Sequence, residues 1–162
     1  QEGATQTTEA ILKFSELMRY PIHEGHQPSV NLVQELKFIN DFIDLQKLKL
    51  GEDYPIIFKR EGHFDKVEII PLCLIPIVEN AFKYGVSHRY KTEITFKIYQ
   101  IDNALCFESE NHIVASGEIE SHQIGIENLK QRLKLFYDGK SEVIIHKTDR
   151  IFNIKLMIPI DK

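Results

Sequence analysis

The stretch PLCLIPIVENAFKYG, from Pro71 to Gly85, gathers the side chains best able to do chemistry. On a helix, Glu79, Asn80 and Lys83 lie on adjoining surface, because residues three and four apart are neighbours. A carboxylate, an amide oxygen and an ammonium beside apolar Ile77, Val78, Ala81 and Phe82 suit a magnesium–nucleotide site. Mg²⁺ takes hard oxygen ligands and keeps several waters, so one amide oxygen from Asn80 is an adequate protein anchor. Lys83 can offset phosphate charge, and Glu79 can accept the proton of an attacking group. From spacing alone, an amphipathic helix with a wet polar face explains the same residues more simply.

Several elements must position that stretch. Ile11, Leu12, Phe14, Leu17 and Met18 recur at helical spacing and predict a helix over Thr8 to Tyr20, stopped by Pro21. A second helix is predicted from Leu32 to Leu50, with Asn31 as N-cap and Gly51 as its C-terminal stop. Tyr54 to Arg60 reads as a strand, and Lys66 to Ile70 as a short extended piece. The third helix covers Pro71 to Gly85, with a kink or irregular first turn expected at Pro76. Thr92 to Ile101 and Ala104 to Glu110 form a hairpin turning at Asp102-Asn103. Asn111 to Gln123 is polar and reads as a loop, followed by a fourth helix over Gly125 to Tyr137. Two last strands, Glu142 to Lys147 and Ile151 to Ile158, complete a mixed sheet with helices on one face.

The bulk numbers narrow the class. The 162 residues carry 20 Lys+Arg against 24 Asp+Glu, a formal net charge of -4, which argues against nucleic acid as the main partner. Cys73 and Cys106 sit inside apolar runs and read as buried, reduced thiols. No apolar stretch approaches the ~18 to 20 residues that span a bilayer. The polar start QEGATQTT reads as a cut end within a longer protein.

Four segments carry a family resemblance: LMRY (Leu17 to Tyr20), LVQELKFINDFIDLQKLKLG (Leu32 to Gly51), IIPLCLIPIVENAFKYG (Ile69 to Gly85) and IGIENLKQRLKLFY (Ile124 to Tyr137). The third resembles the N-box of the ATPases shared by DNA gyrase, the heat-shock chaperone, histidine kinases and MutL. In order, the four resemble LytS-like sensor histidine kinases over nearly the whole chain. The resemblance implies a Bergerat-type ATP-binding fold, an α/β (α+β) two-layer sandwich of mixed sheet and helices. It implies that residues 1–30 are the tail of a dimerisation and phosphoacceptor helical region and residues 31–162 the catalytic domain. By position, Asn80 matches the magnesium ligand, Glu79 the catalytic base and Lys83 a phosphate contact, while Tyr84 stands where a His is common.

The glycine boxes depart from the family pattern. In FESENHIV, Glu110 stands at the place of the adenine-binding Asp, with Asn111 beside it as an alternative acceptor; His112 and Val114 replace glycines. In Gln123-Ile124-Gly125 one glycine is missing, leaving Gly125, Ile126 and Asn128 to approach phosphates at a helix N-terminus. The loop Asn111 to Gln123 matches the ATP lid by position. The family's phosphoacceptor, a His in an Asn-Pro-His-Phe-type motif, does not occur in these residues; His23 and His26 follow Pro21 and are poor substitutes. The scattered His63, His88, His112, His122 and His146 read as solvated.

The resemblance therefore implies a histidine kinase module that uses ATP and Mg²⁺, works in a homodimer and hands phosphate to a response regulator. It also implies the cytoplasmic part of an inner-membrane sensor, joined to the membrane only through segments outside this sequence. The alternative is a degenerate module that keeps the fold, has lost ATP binding with its glycines, and acts by dimerisation and docking.

Overall fold

The computed structural model describes residues 2–51, 54–87, 89, 91–114 and 122–160. The chain forms two compact units: Gln1–Tyr54 with Phe64–Leu72, and Pro55–His63 with Cys73–Lys162.

The first unit is built on two helices. α1 runs over Glu2–Glu24 and α2 over Leu32–Leu50. Pro21 does not stop α1. It lacks the N–H that would bond back one turn, but its own carbonyl accepts from Gly25 N at 3.1 Å, so one more turn forms. A side chain at residue 25 would place its Cβ 2.4 Å from that carbonyl, which is why glycine ends the helix. α2 begins where expected: Asn31 Oδ1 accepts from Val33 N at 2.8 Å, and Gly51, at φ 99°, donates its N–H to Lys47 O. Leu32, Leu36, Phe38, Ile39 and Ile43 of α2 are buried, and Phe38 stacks on Tyr20 with ring centroids 4.8 Å apart. On α1 only Leu17 of the predicted apolar set is buried, while Ile11, Leu12, Phe14 and Met18 are exposed, as is Ile22. β1 (Val30–Asn31) pairs antiparallel with β3 (Glu68–Ile69), tying the start of α2 to the 64–72 segment.

The second unit is a five-stranded sheet in the order β2-β4-β5-β7-β6. β2 (Ile56–Glu61) lies parallel to β4 (Ile94–Ile101); β5 (Ala104–His112), β7 (Ile151–Pro159) and β6 (Glu142–Lys147) follow antiparallel. Both β4 and β5 alternate with period two. Ile94, Phe96, Ile98, Leu105 and Phe107 are buried on one face, where Phe96 and Phe107 stack at 6.2 Å. The other face is largely polar. There Tyr99 Oη donates to Glu108 at 2.5 Å and Lys155 Nζ donates to Tyr99 Oη at 3.0 Å. Cys106, cross-strand from Tyr99, is buried on it, so the polar face is not uniformly wet.

α3 (Ile75–Gly85) packs on β4 and β5. It starts four residues later than the sequence suggested. Residues 71–74 form a turn in which Leu72 takes φ 58°, and Pro76 falls in the first turn of the helix, where a missing N–H costs nothing and no kink is needed. α4 (His122–Phe136) starts three residues earlier than expected and buries Ile126, Leu129 and Leu133. β5 likewise extends through Asn111 and His112. The expected lid therefore loses both ends to regular structure, and its middle, 115–121, lies outside the described residues.

Candidate functional site

α3 carries the polar trio as its spacing predicted. The helix is amphipathic: Ile77, Val78, Ala81 and Phe82 are buried, while Glu79 and Lys83 are exposed. Asn80 is the exception on the buried side, at 8% exposure. Its Oδ1 is buried and has no hydrogen-bond partner among the described residues. A buried amide oxygen left bare costs free energy, so such atoms call for an explanation. A hard cation at this oxygen is one that fits the residue type.

Glu79 reaches solvent, yet the surroundings still desolvate its carboxyl and raise its pKa above the usual 4.5. A carboxylate made more basic in this way suits a proton acceptor. Lys83 Nζ lies 5.0 Å from the centre of the Tyr84 ring, so the ammonium is held over an aromatic face at the end of the helix. Tyr84 itself is buried and its carbonyl accepts from Val114 N at 3.1 Å.

The end of α3 meets β5 at Gly85. A Cβ at this position would stand 2.7 Å from Asn111 Cβ, so only glycine lets the helix and strand approach this closely. Asn111 is 2% exposed, and its Nδ2 donates to His112 O at 2.9 Å. Thr92, also buried, donates its hydroxyl to Gly85 O. Neither Gly85 nor Thr92 stood out in the sequence. Gly85 read only as the last residue of the third helix, and a close approach leaves no residue-type signal beyond the glycine itself.

Glu110 and Asn111 part company here. Successive strand residues face opposite sides of a sheet, and Asn111 is the one against α3. Glu110 is exposed on the other face, where Asn153 Nδ2 donates to its Oε2 at 3.5 Å. The family match puts Glu110 at the adenine position with Asn111 as the alternative acceptor; a shift of one residue in a strand moves the side chain to the opposite face, so the two present to different sides of the sheet. His112 shares the exposed side with Glu110. On α4, Gly125 and Asn128 are exposed and Ile126 is buried. The free N–H groups of a helix belong to its first turn, which here begins at His122. Gly125 stands at the end of that turn, and Ile126 and Asn128 lie past it. A Cβ at Gly125 would meet nothing within 4 Å, so packing does not demand this glycine.

Comparison with known proteins agrees with this architecture. The family model described as "Histidine kinase" matches residues 1–54. The chain is 22% identical to the sensor protein LytS of Oceanobacillus iheyensis, over 96% of this chain and 29% of that protein. It is 25% identical to the sensor histidine kinase YpdA of Escherichia coli, over 78% of this chain and 24% of that protein. Both relatives are thus more than three times the length matched. Among solved structures, the catalytic domain of histidine kinase ThkA superposes with a TM-score of 0.60 at 12% identity, covering 82% of this chain and 94% of that one; at this identity the likeness is one of fold.

Proposed function

We infer that this chain, a LytS-like histidine kinase catalytic domain with a helical front end, binds ATP with Mg²⁺ and passes the γ-phosphoryl group to a histidine outside these residues. The observation that carries this reading is the buried Oδ1 of Asn80, without a hydrogen-bond partner among the described residues, on the helix that also presents Glu79 and Lys83. We assign residues 1–30 to the helical dimerisation region and 31–162 to the catalytic domain. The exposed apolar residues of α1, Ile11, Leu12, Phe14 and Ile22, support a homodimer formed through that helix.

Asn80 would hold Mg²⁺ through its Oδ1. Bound there, magnesium would supply charge neutralisation along the triphosphate. Lys83 adds a positive charge against the phosphate oxygens. Asn111 presents its amide oxygen as the acceptor for the adenine amino group, its Nδ2 being held by His112 O. Transfer breaks the bond between the γ-phosphorus and its bridging oxygen, with ADP leaving. It forms a bond from phosphorus to the unprotonated imidazole nitrogen, and the proton on the other ring nitrogen passes to Glu79. Alignment and charge, more than covalent chemistry by the protein, lower the barrier. A response regulator would receive the phosphate in turn.

No helix among the described residues is long and apolar enough to cross a membrane. We place the domain on the cytoplasmic side of an inner-membrane sensor, as the relatives' names as sensors suggest. Calorimetric titration with ATP, with magnesium and then with EDTA, tests the proposal. Saturable, magnesium-dependent binding is expected; no heat in either condition would leave the degenerate, docking-only reading in its place.

A further inference from the structure

Glu35 is a charged side chain in the first turn of α2, and it is completely buried. Buried carboxylates persist only where hydrogen bonds replace lost water. Two donors converge on a single oxygen of this one. Tyr20 Oη, from α1, lies 2.7 Å from Oε2, and the backbone N of Leu72 lies 2.9 Å from the same atom. Both donors therefore depend on one acceptor atom.

Leu72 is an unusual place for such a bond. It takes φ 58°, a left-handed conformation that a leucine adopts only when its surroundings hold it there. Its side chain also closes on the end of α1, since a Cβ built on Gly25 would come within 3.3 Å of Leu72 Cδ1. The chain before it is bolted to the start of α2: Val30 pairs with Ile69, Leu32 N donates to Val67 O at 2.8 Å, and Asn31 Nδ2 donates to Asp65 O at 2.6 Å. Three residues after Leu72 the chain enters α3, the helix of Glu79 and Asn80.

We propose that Glu35 is a positioning residue that couples α1 to the turn feeding the nucleotide-site helix, through the relay Tyr20–Glu35–Leu72. The Oε2 atom of Glu35 reads the position of α1 through the Tyr20 hydroxyl and holds the strained Leu72 backbone at the same atom. Displacing α1 withdraws one donor and loosens the grip on the other. Tyr20 and Leu72 do not need to touch; the shared oxygen makes them interdependent. The effect on nucleotide binding rests on the kinase reading above, whereas the coupling itself does not.

The test uses Tyr20→Phe, which keeps the ring stacked on Phe38 and removes only the hydroxyl, with Glu35→Gln as the second variant. Amide exchange at Leu72 is compared with that of Ile98 and Phe107 in the sheet. In Tyr20→Phe, exchange at Leu72 should rise about tenfold while the sheet amides stay unchanged, the pattern of local opening. Glu35→Gln should do the same, and the double variant should add little to either. Magnesium–ATP affinity should fall in both single variants. Unchanged exchange at Leu72 in Tyr20→Phe would overturn the relay, as would a rise shared equally by the sheet amides. Faster exchange at Leu72 with unaltered affinity would reduce Glu35 to a structural anchor and overturn the positioning role. A parent chain that binds no nucleotide would reject the kinase reading, and the exchange rates would still decide the relay.

Discussion

Gly85 and Asn111 are in such close contact that a methyl group on the first would stand 2.7 Å from the Cβ of the second. This contact seats the last turn of α3 on the end of β5 and brings Asn80 and Asn111, residues from separate segments, into one unit. Gly85→Ala should therefore destabilise the fold by about 1–3 kcal/mol, as overpacking of a tight contact does. Adding Asn111→Gly should return part of the loss by removing the clashing Cβ. Denaturant unfolding of the single and double variants measures both; a neutral Gly85→Ala would show that α3 and β5 part easily.

Asn80→Ala tests the magnesium assignment with a clear separation of stability from binding. Its Oδ1 has no partner to lose among the described residues, so unfolding free energy should change by less than about 1 kcal/mol. Affinity for magnesium–ATP should fall at least about tenfold, ~1.4 kcal/mol. Equal affinities in calorimetry would remove Asn80 from the site.

Glu110→Gln and Asn111→Ala should behave differently although the residues are adjacent. Glu110 faces away from α3 and Asn111 faces it. Nucleotide affinity should be unaffected by the first change and should drop by about 1–3 kcal/mol with the second, the cost of losing a buried polar partner. The reverse order would assign the adenine contact to Glu110 and not to Asn111.

The raised pKa of Glu79 has two consequences of known sign. The base form is the carboxylate, so phosphoryl transfer to a supplied acceptor-histidine segment should fall as pH drops through a midpoint above 4.5. Desolvation penalises the ionised form in the folded state, so its contribution to stability is present below the unfolded pKa and lost as pH rises through the raised one. Glu79→Gln should therefore melt no lower than the parent at pH 7 while transferring little phosphate. A variant that transfers phosphate at the parent rate would exclude Glu79 as the base.

Incubation of the chain with labelled ATP should leave no acid-labile phosphate on it, because no Asn-Pro-His-Phe-type motif occurs in the sequence. Stable label on His23 or His26, both exposed near the end of α1, would overturn that expectation.

The sequence by itself determined most of the elements and the trio on α3, but not the short strand β1. The period-two runs gave β4 to β7, the caps Asn31 and Gly51 bounded α2 to the residue, and the spacing of Glu79, Asn80 and Lys83 placed them on one helix. These are local properties, fixed by caps and by which face of each element must be apolar. Tertiary structure decided three other things. Pro21 lies within α1, because a proline forfeits one bond and packing can outweigh it. Asn111, and not its neighbour Glu110, faces α3, because strand register is set by neighbouring strands and one step reverses the face. Nothing in the sequence sets Glu35 apart from its neighbours in α2. Its complete burial depends on Tyr20 and Leu72, distant in sequence, supplying the hydrogen bonds that replace water.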